Sequence, residues 1–148
     1  MIEAAKEKLR KYDDIEYWCG DIRAFEYDQE YDAVISSLVL HHVDEGEKRV
    51  LYRKIFKALV RGGVFYNTDL VLASNSHLEA VYLKKWKFFM RRSFSSAQIH
   101  KVILKHKDDE DRPVKLTTEM KLLSGAGFKE VDVIWKYYNF AVYGGKAV

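Results

Sequence analysis

One cysteine, Cys19, one proline, Pro113, and eight glycines are all that this 148-residue sequence holds of the residues that staple, break or bend a chain. A lone thiol cannot form a disulfide within the chain, and a zinc site built from several cysteines is excluded, so a reducing, cytoplasmic location is expected. No run of about 18 apolar residues occurs, and the charged opening Met1-Ile2-Glu3-Ala4-Ala5-Lys6 lacks the apolar centre of a signal peptide; no membrane association is expected. Neither sign of charge dominates: 25 Lys and Arg stand against 22 Asp and Glu, so composition gives no electrostatic reason to invoke nucleic acid. Internal repeats and low-complexity linkers are also lacking, which points to one domain over 1–148.

What is present suffices for a core. Apolar residues make up 48% and aromatics 14%, far from the profile of a disordered chain. Ile2, Ala5 and Leu9 recur at helical spacing, so the chain opens in an amphipathic helix that no cap precedes. Ile15 to Cys19, rich in β-formers and stopped by Gly20-Asp21, predicts a short strand. Tyr31 to Leu40 is almost continuously apolar, the signature of a central strand covered on both faces. Asp44 and Glu47 fit a capping box for a helix whose stripe is Leu51, Ile55, Ala58 and Leu59, ending at Gly62-Gly63. Val64 to Thr68 predicts another strand.

A helical insertion over about 74–112 follows, with Leu78, Val81, Tyr82, Trp86, Phe89 and Met90 on one face and Ile99, Val102, Ile103 and His106 on a second piece. The acidic run Asp108 to Asp111 and Pro113 interrupt it before a helix capped near Thr117 and ended at Gly127. Val131 to Lys136 and Phe140 to Tyr143 close the chain as two strands, near enough for an antiparallel hairpin. The alternation predicts an α/β fold with a mostly parallel sheet and helices on its faces.

Six segments stand together in order and spacing: Met1-Ile2-Glu3-Ala4-Ala5, Gly20-Asp21-Ile22, Tyr31 to Ser36, Leu40-His41-His42, Leu59 to Gly63, and Ala126-Gly127-Phe128. In this register the chain resembles class I S-adenosylmethionine-dependent methyltransferases over nearly its whole length. The resemblance implies a Rossmann-like methyltransferase fold. It also implies that two strands, a Gly-rich loop and an acidic residue for the ribose would stand before Met1. Nothing within the 148 residues replaces them, so a truncated form of the fold is expected. In the family's strand order the two missing strands lie between the Ile15 and Ala33 strands, which leaves an open sheet edge and makes a homodimer the expected assembly.

By the same resemblance S-adenosylmethionine is the expected cofactor. Asp21 would accept from the adenine amino group, with Ile22 beside the ring and Met1 lining its other side; an N-cap role for Asp21 is compatible with this. Ser36, Ser37 and Leu38 would approach the methionine portion or the reacting methyl, or simply pack in the strand. His41 and His42 are the candidate catalytic residues, able to act as general base, or else they shape the loop into the next helix. The insertion occupies the place of the family's substrate lid. Its cations, Lys84, Lys85, Lys87, Arg91, Arg92, Lys101, Lys105 and Lys107, lie beside Trp86, Phe88 and Phe89. They could receive phosphate or a stacked base, or form a solvated face over an aromatic stripe.

The closing segment Ile134 to Gly145 resembles a branch that includes the carboxy-S-adenosylmethionine synthases. That branch carries Asn where this chain has Ser37, and a lid arginine where the positions around Val102 to Leu104 are apolar here. Ordinary methyl transfer to a small molecule, impaired in this truncated chain, is therefore the leading expectation. The competing readings are a noncatalytic, self-associating remnant of the fold and an RNA-binding accessory protein using the basic lid.

Overall fold

The computed structural model describes residues 2–107 and 111–148, with the backbone alone at 106 and 107. The expectation for His106 and most of the acidic run after it therefore lie outside the described side chains. Helix α1 (Ile2–Leu9) buries none of its residues, and a 3-10 turn (Ile22–Ala24) follows. Strand β1 (Tyr31–Ser37) leads through a second 3-10 turn (Leu40–His42) into α2 (Glu45–Ala58) and β2 (Leu59–Leu70). Helices α3 (Ser76–Met90), α4 (Ser96–Lys107) and α5 (Leu116–Ala126) precede β3 (Lys129–Tyr137) and β4 (Phe140–Lys146).

The sheet runs β1-β2-β4-β3. Strand β1 pairs parallel with β2, whereas β4 runs antiparallel to both β2 and β3, so the described sheet is mixed and its parallel part is the β1–β2 pair. The α/β character and the C-terminal hairpin are as expected. Residues 15–19 join no ladder, contrary to the strand their composition suggests. β-Propensity expresses a fit to a pleated surface, and without a neighbouring strand the segment has no such surface to join. Strand β1 is accordingly at the sheet edge and not central. Ile35 is 76% exposed although its neighbour Val34 packs on the core.

Helix α2 starts where the sequence predicts. The Asp44 carboxylate accepts from Glu47 N at 2.8 Å, and the Glu47 side chain accepts from Asp44 N at 3.1 Å, completing the box. It ends at Ala58, four residues before Gly62, because the backbone from Leu59 is drawn into β2, where Leu59 faces Tyr31 of β1. Helix α5 begins two residues earlier than Thr117 suggests: Lys115 is the N-cap and supplies only its carbonyl, to Thr118 and Glu119. Its end is as predicted. Gly127 has φ +118°, and a Cβ there would meet the Phe56 ring at 2.9 Å, so this stop requires glycine for both conformation and space.

Helices α2 and α5 pack on one another and on one face of the sheet, burying Leu51, Tyr52, Ile55, Phe65, Leu123, Phe128 and Tyr143. Helices α3 and α4 close a smaller cluster of their own, Met90, Ile99 and Ile103 with Trp86 and Val102 against it.

Lys48 lies on the buried stripe of α2, 1% exposed, which its side-chain type would not suggest. Its ammonium donates to Glu119 Oε1 at 2.6 Å, and the Tyr52 hydroxyl donates to Glu119 Oε2 at 2.6 Å. Removing one charge from such a pair leaves the other buried without a partner, at a cost of about 3–5 kcal/mol. Lys48→Met should therefore lower stability by that amount in urea unfolding. Lys48→Met combined with Glu119→Gln should recover most of the loss, since the amide still accepts from Tyr52. Equal losses in the single and double variants would show that the ion pair is not what Lys48 contributes.

Candidate active site

The C-terminal end of a parallel strand in an open α/β sheet faces the crevice where ligands bind. Here that end belongs to β1, and three features meet there. The Ser36 hydroxyl is buried and has no hydrogen-bond partner among the described residues. Leu38 adopts φ +54°, a left-handed conformation that costs a non-glycine residue of order 1–3 kcal/mol, and its N–H is held by Thr68 O at 2.8 Å. Ser37 and Leu38 themselves are exposed.

The chain then turns into Leu40–His42. His41 is buried, with Nδ1 2.5 Å from Asp69 Oδ1, and its backbone N–H donates to Asp69 Oδ2 at 2.9 Å. Asp69, 1% exposed at the end of β2, also accepts from Leu70 N at 2.8 Å and from Asn67 Nδ2 at 3.4 Å. A carboxylate oxygen accepts, so in the contact with Asp69 the His41 ring donates through Nδ1. Nε2 is then left to face Asp111, whose Oδ1 lies 3.9 Å away. His42 stands with its ring centroid 4.0 Å from that of His41, and its Nδ1 is 3.3 Å from the same Asp111 oxygen.

From Asn67 a buried polar path runs back through the fold. Asn67 Nδ2 donates to the Tyr143 hydroxyl at 2.8 Å, and the Tyr143 phenol neighbours that of Tyr52, whose hydroxyl donates to Glu119, the partner of Lys48. Burial, first of all, pushes both phenol pKa values upward, so both hydroxyls keep their protons and remain donors.

The other predicted residues are dispersed. Asp21 caps the first 3-10 turn, accepting from Arg23 N at 2.9 Å, and its carboxylate is gripped by the Arg23 guanidinium, with Nε 2.8 Å from Oδ1. Arg23 in turn donates to Glu47 at 2.8 Å, which ties this turn to the start of α2. Ile22 packs against the main core. Met1 lies outside the described residues. Thus Ser36, Ser37, Leu38, His41 and His42 share one end of β1, while Asp21 and Ile22 sit on the turn that precedes it.

Sequence reading missed Asp69 and Asp111. Asp69 closes an apolar strand at the same end as the histidines, and that position was its one available signal. Asp111 was submerged in an acidic run.

Near the same end of the sheet, α3 and the β3–β4 turn enclose a cleft of about 320 Å³ walled by Trp86, Phe89, Trp135, Tyr137, Tyr138 and Phe140. Asn139, 2% exposed, also lines it and has a buried Nδ2 without a partner. In α4, Ile103 is buried in the cluster of the helical pair and Val102 packs against it.

A family model described as a methyltransferase domain matches residues 1–63. The carboxy-S-adenosyl-L-methionine synthase of Helicobacter pylori (strain HPAG1) is 24% identical over 144 residues, 96% of this chain and 59% of that protein. That of Nautilia profundicola is 23% identical over 149 residues, 97% of this chain and 61% of its own length. The chain is thus similar to S-adenosylmethionine-dependent methyltransferases. It spans about three-fifths of the length of these curated relatives.

Among solved structures, an O-methyltransferase family 2 protein from Planctomyces limnophilus in complex with apigenin superposes with TM-score 0.67 at 21% identity. The match covers 99% of this chain and 40% of that one. Human N-acetylserotonin methyltransferase in complex with SAM gives 0.56 at 19%, over 86% of this chain and 32% of that one. These likenesses establish the fold. The relatives favour neither a noncatalytic remnant nor an RNA-binding protein.

The grip on Asp21 has a measurable signature. Side-chain hydrogen bonds from the Arg23 guanidinium, followed by the Arg23 backbone N–H, lower its pKa from 3.8 to about 2. A lowered carboxylate pKa means that the pair's contribution is present above about pH 4 and is lost as pH falls towards 2. Carbon-13 NMR titration should show the Asp21 carboxyl near 2 in the wild type and higher in Arg23→Ala, though short of 3.8 because the backbone N–H at position 23 is kept. An unmoved midpoint would show that Arg23 does not hold it.

Proposed function

We propose that the protein carries the methyl-transfer site of an S-adenosylmethionine-dependent methyltransferase acting on a small planar molecule. The observation that carries this reading is the end of β1, where an unpartnered buried Ser36 hydroxyl and a left-handed Leu38 adjoin the His41–Asp69 pair. An orphaned hydroxyl and local backbone strain are features that a bound ligand would explain.

These residues fit one edge of the cofactor. Ser36 would supply a hydroxyl to it and Leu38 an apolar contact, while Asp21 would offer a carboxylate edge on the adenine side by sharing it with Arg23. When bound, S-adenosylmethionine supplies an electrophilic methyl on a sulfonium sulfur. Such transfer needs little acid–base help, and holding the acceptor in line can provide much of the rate enhancement. Where the acceptor carries a proton, His41 and His42 are the groups at the mouth that would take it, His41 through Nε2 with Asp69 fixing the ring.

The aromatic cleft is suited to a planar acceptor, with the unpartnered Asn139 amide available to an acceptor oxygen. Apigenin in the Planctomyces protein is a ligand of this general shape. The apolar packing of Val102 and Ile103 leaves no cation at those lid positions for an extra carboxylate, which favours the ordinary cofactor over the carboxylated one.

Saturation-transfer NMR with S-adenosylmethionine tests the cofactor site. The 148-residue chain should bind in the high-micromolar range or more weakly, with saturation strongest on the adenine protons, and Asp21→Ala and Ser36→Ala should each reduce it. Binding indifferent to both substitutions, or none at millimolar cofactor, would overturn the placement.

Self-association is the second part of the proposal. The free edge of β1 has no strand beside it and displays Ile35, a template for pairing with a second copy. Size-exclusion chromatography with light scattering should give a dimer at micromolar concentration that Ile35→Lys disperses. A monomer with cooperative thermal unfolding would rule this out.

A further inference from the structure

We propose that His41, His42 and Asp111 form a binding site for a divalent transition metal of the zinc class. His41, His42 and Asp111 each offer one ligand atom, and these atoms lie within 4.8 Å of one another. In a tetrahedral site with bonds near 2.0–2.2 Å, neighbouring ligand atoms stand about 3.3–3.5 Å apart. The His42–Asp111 separation of 3.3 Å already has this value, and the His41–Asp111 separation of 3.9 Å needs only a small ring or carboxylate rotation to reach it.

The surroundings favour a metal over a chance cluster. Metal-binding histidines characteristically donate their second ring N–H to a carboxylate, which fixes the tautomer and raises ligand basicity. His41 is placed to do this: its Nδ1 meets the buried Asp69 carboxylate at 2.5 Å, which leaves Nε2, 3.9 Å from Asp111 Oδ1, as the ring nitrogen for a metal. The neighbouring Nδ1 of His42, 3.3 Å from the same Asp111 oxygen, supplies a second nitrogen for the metal.

Asp111 is brought to this point by its neighbour, since Arg112 N donates to His41 O at 2.5 Å. The Arg112 guanidinium itself is directed to Asp44, 3.5 Å away. Two nitrogens and one oxygen leave a fourth tetrahedral position for water or a ligand oxygen, as in catalytic and not structural zinc sites. With metal bound, the histidines are ligands and no longer bases; an acceptor hydroxyl in the fourth position would be acidified by the ion. The binding site is read without cofactor or acceptor, so it stands or fails separately from the transfer reaction.

The test uses the full chain stripped with chelator and titrated with Zn2+, Co2+ and Mg2+. Zn2+ at a hundredfold excess over Kd should raise Tm by about 5 °C or more. Co2+ should develop the intense visible absorption of a tetrahedral complex, and Mg2+ should do neither. His42→Ala, at an exposed position, should weaken Zn2+ binding by more than about 100-fold, and Asp69→Asn by roughly 10–100-fold. Unfolding curves of the metal-free variants report that each is folded, and His42→Ala decides should Asp69→Asn not fold. The exposed His77 and His100 provide the control: His77→Ala/His100→Ala should leave both signals intact. A wild-type chain without Zn2+-dependent stabilisation, or one whose signals persist in His42→Ala or vanish in the His77/His100 control, would overturn the proposal.

Discussion

The ion pair between Lys48 and Glu119 is the contact that fixes the relation of α2 to α5, and through it the geometry of everything on that face of the sheet. Both side chains are 1% exposed, so neither charge has water to fall back on. Desolvating two charges is costly, and a greasy pair of equal volume could serve packing as well. What an apolar pair would not provide is direction. Glu119 has two oxygens, one for Lys48 and one for Tyr52, and with both engaged α5 can neither rotate nor slide on α2 without orphaning a charge. Because α2 begins immediately after the His41–His42 turn and α5 runs into β3, the helices so fixed hold the turn against the end of the sheet.

The same network continues to the site. Tyr52 meets Tyr143 of β4, Tyr143 meets Asn67 of β2, and Asn67 meets Asp69, which carries His41. All of these links except Asn67 to Asp69, which lies within β2, join different elements, so side-chain contacts supplement the backbone ladder in aligning β2 with β4 and with the helix behind them. An imidazole placed in this way has little freedom to turn, and preorganisation of that kind is what a base or a metal ligand requires. The ends of the path differ in character. Lys48 is sealed inside, whereas His41 abuts His42, whose side chain is 55% exposed, so the path connects a rigid interior to an accessible mouth.

Elements whose cause is local were legible in the sequence. The Asp44 box, the Gly127 stop and the stripe of Leu51, Ile55 and Ala58 depend on neighbours a turn away, and the structure reproduces them. Elements whose cause is distant were not. Ile15 to Cys19 has the composition of a strand but no ladder to enter, and the apolar run of β1 says nothing about which strand lies beside it. The site divides along the same line. The histidines were visible as a doublet at a strand end, while the carboxylates that orient them come from 28 residues away at Asp69 and from the far side of the helical pair at Asp111. Lys48 was hidden for the opposite reason: on an amphipathic helix a lysine is read as solvated, and only the position of Glu119, 71 residues later, makes its burial tolerable.

The exposed edge and the strained end of β1 are consequences of one arrangement. A strand flanked on both sides has its terminal residues fixed by two ladders, but β1 is fixed by β2 alone. After the last ladder pair, Ser37 with Thr68, the Leu38 N–H still reaches Thr68 O, and the chain must then turn at once to bring Leu40 and His41 under cover. Leu38 absorbs that turn with its left-handed φ. The buried His41–Asp69 contacts just beyond are strong enough to hold a conformation that leucine disfavours by of order 1–3 kcal/mol. Strain at Leu38, the unpartnered Ser36 hydroxyl and the exposure of Ile35 thus occur within four residues because one strand has to serve at once as sheet edge, ligand-facing terminus and lead-in to a buried histidine.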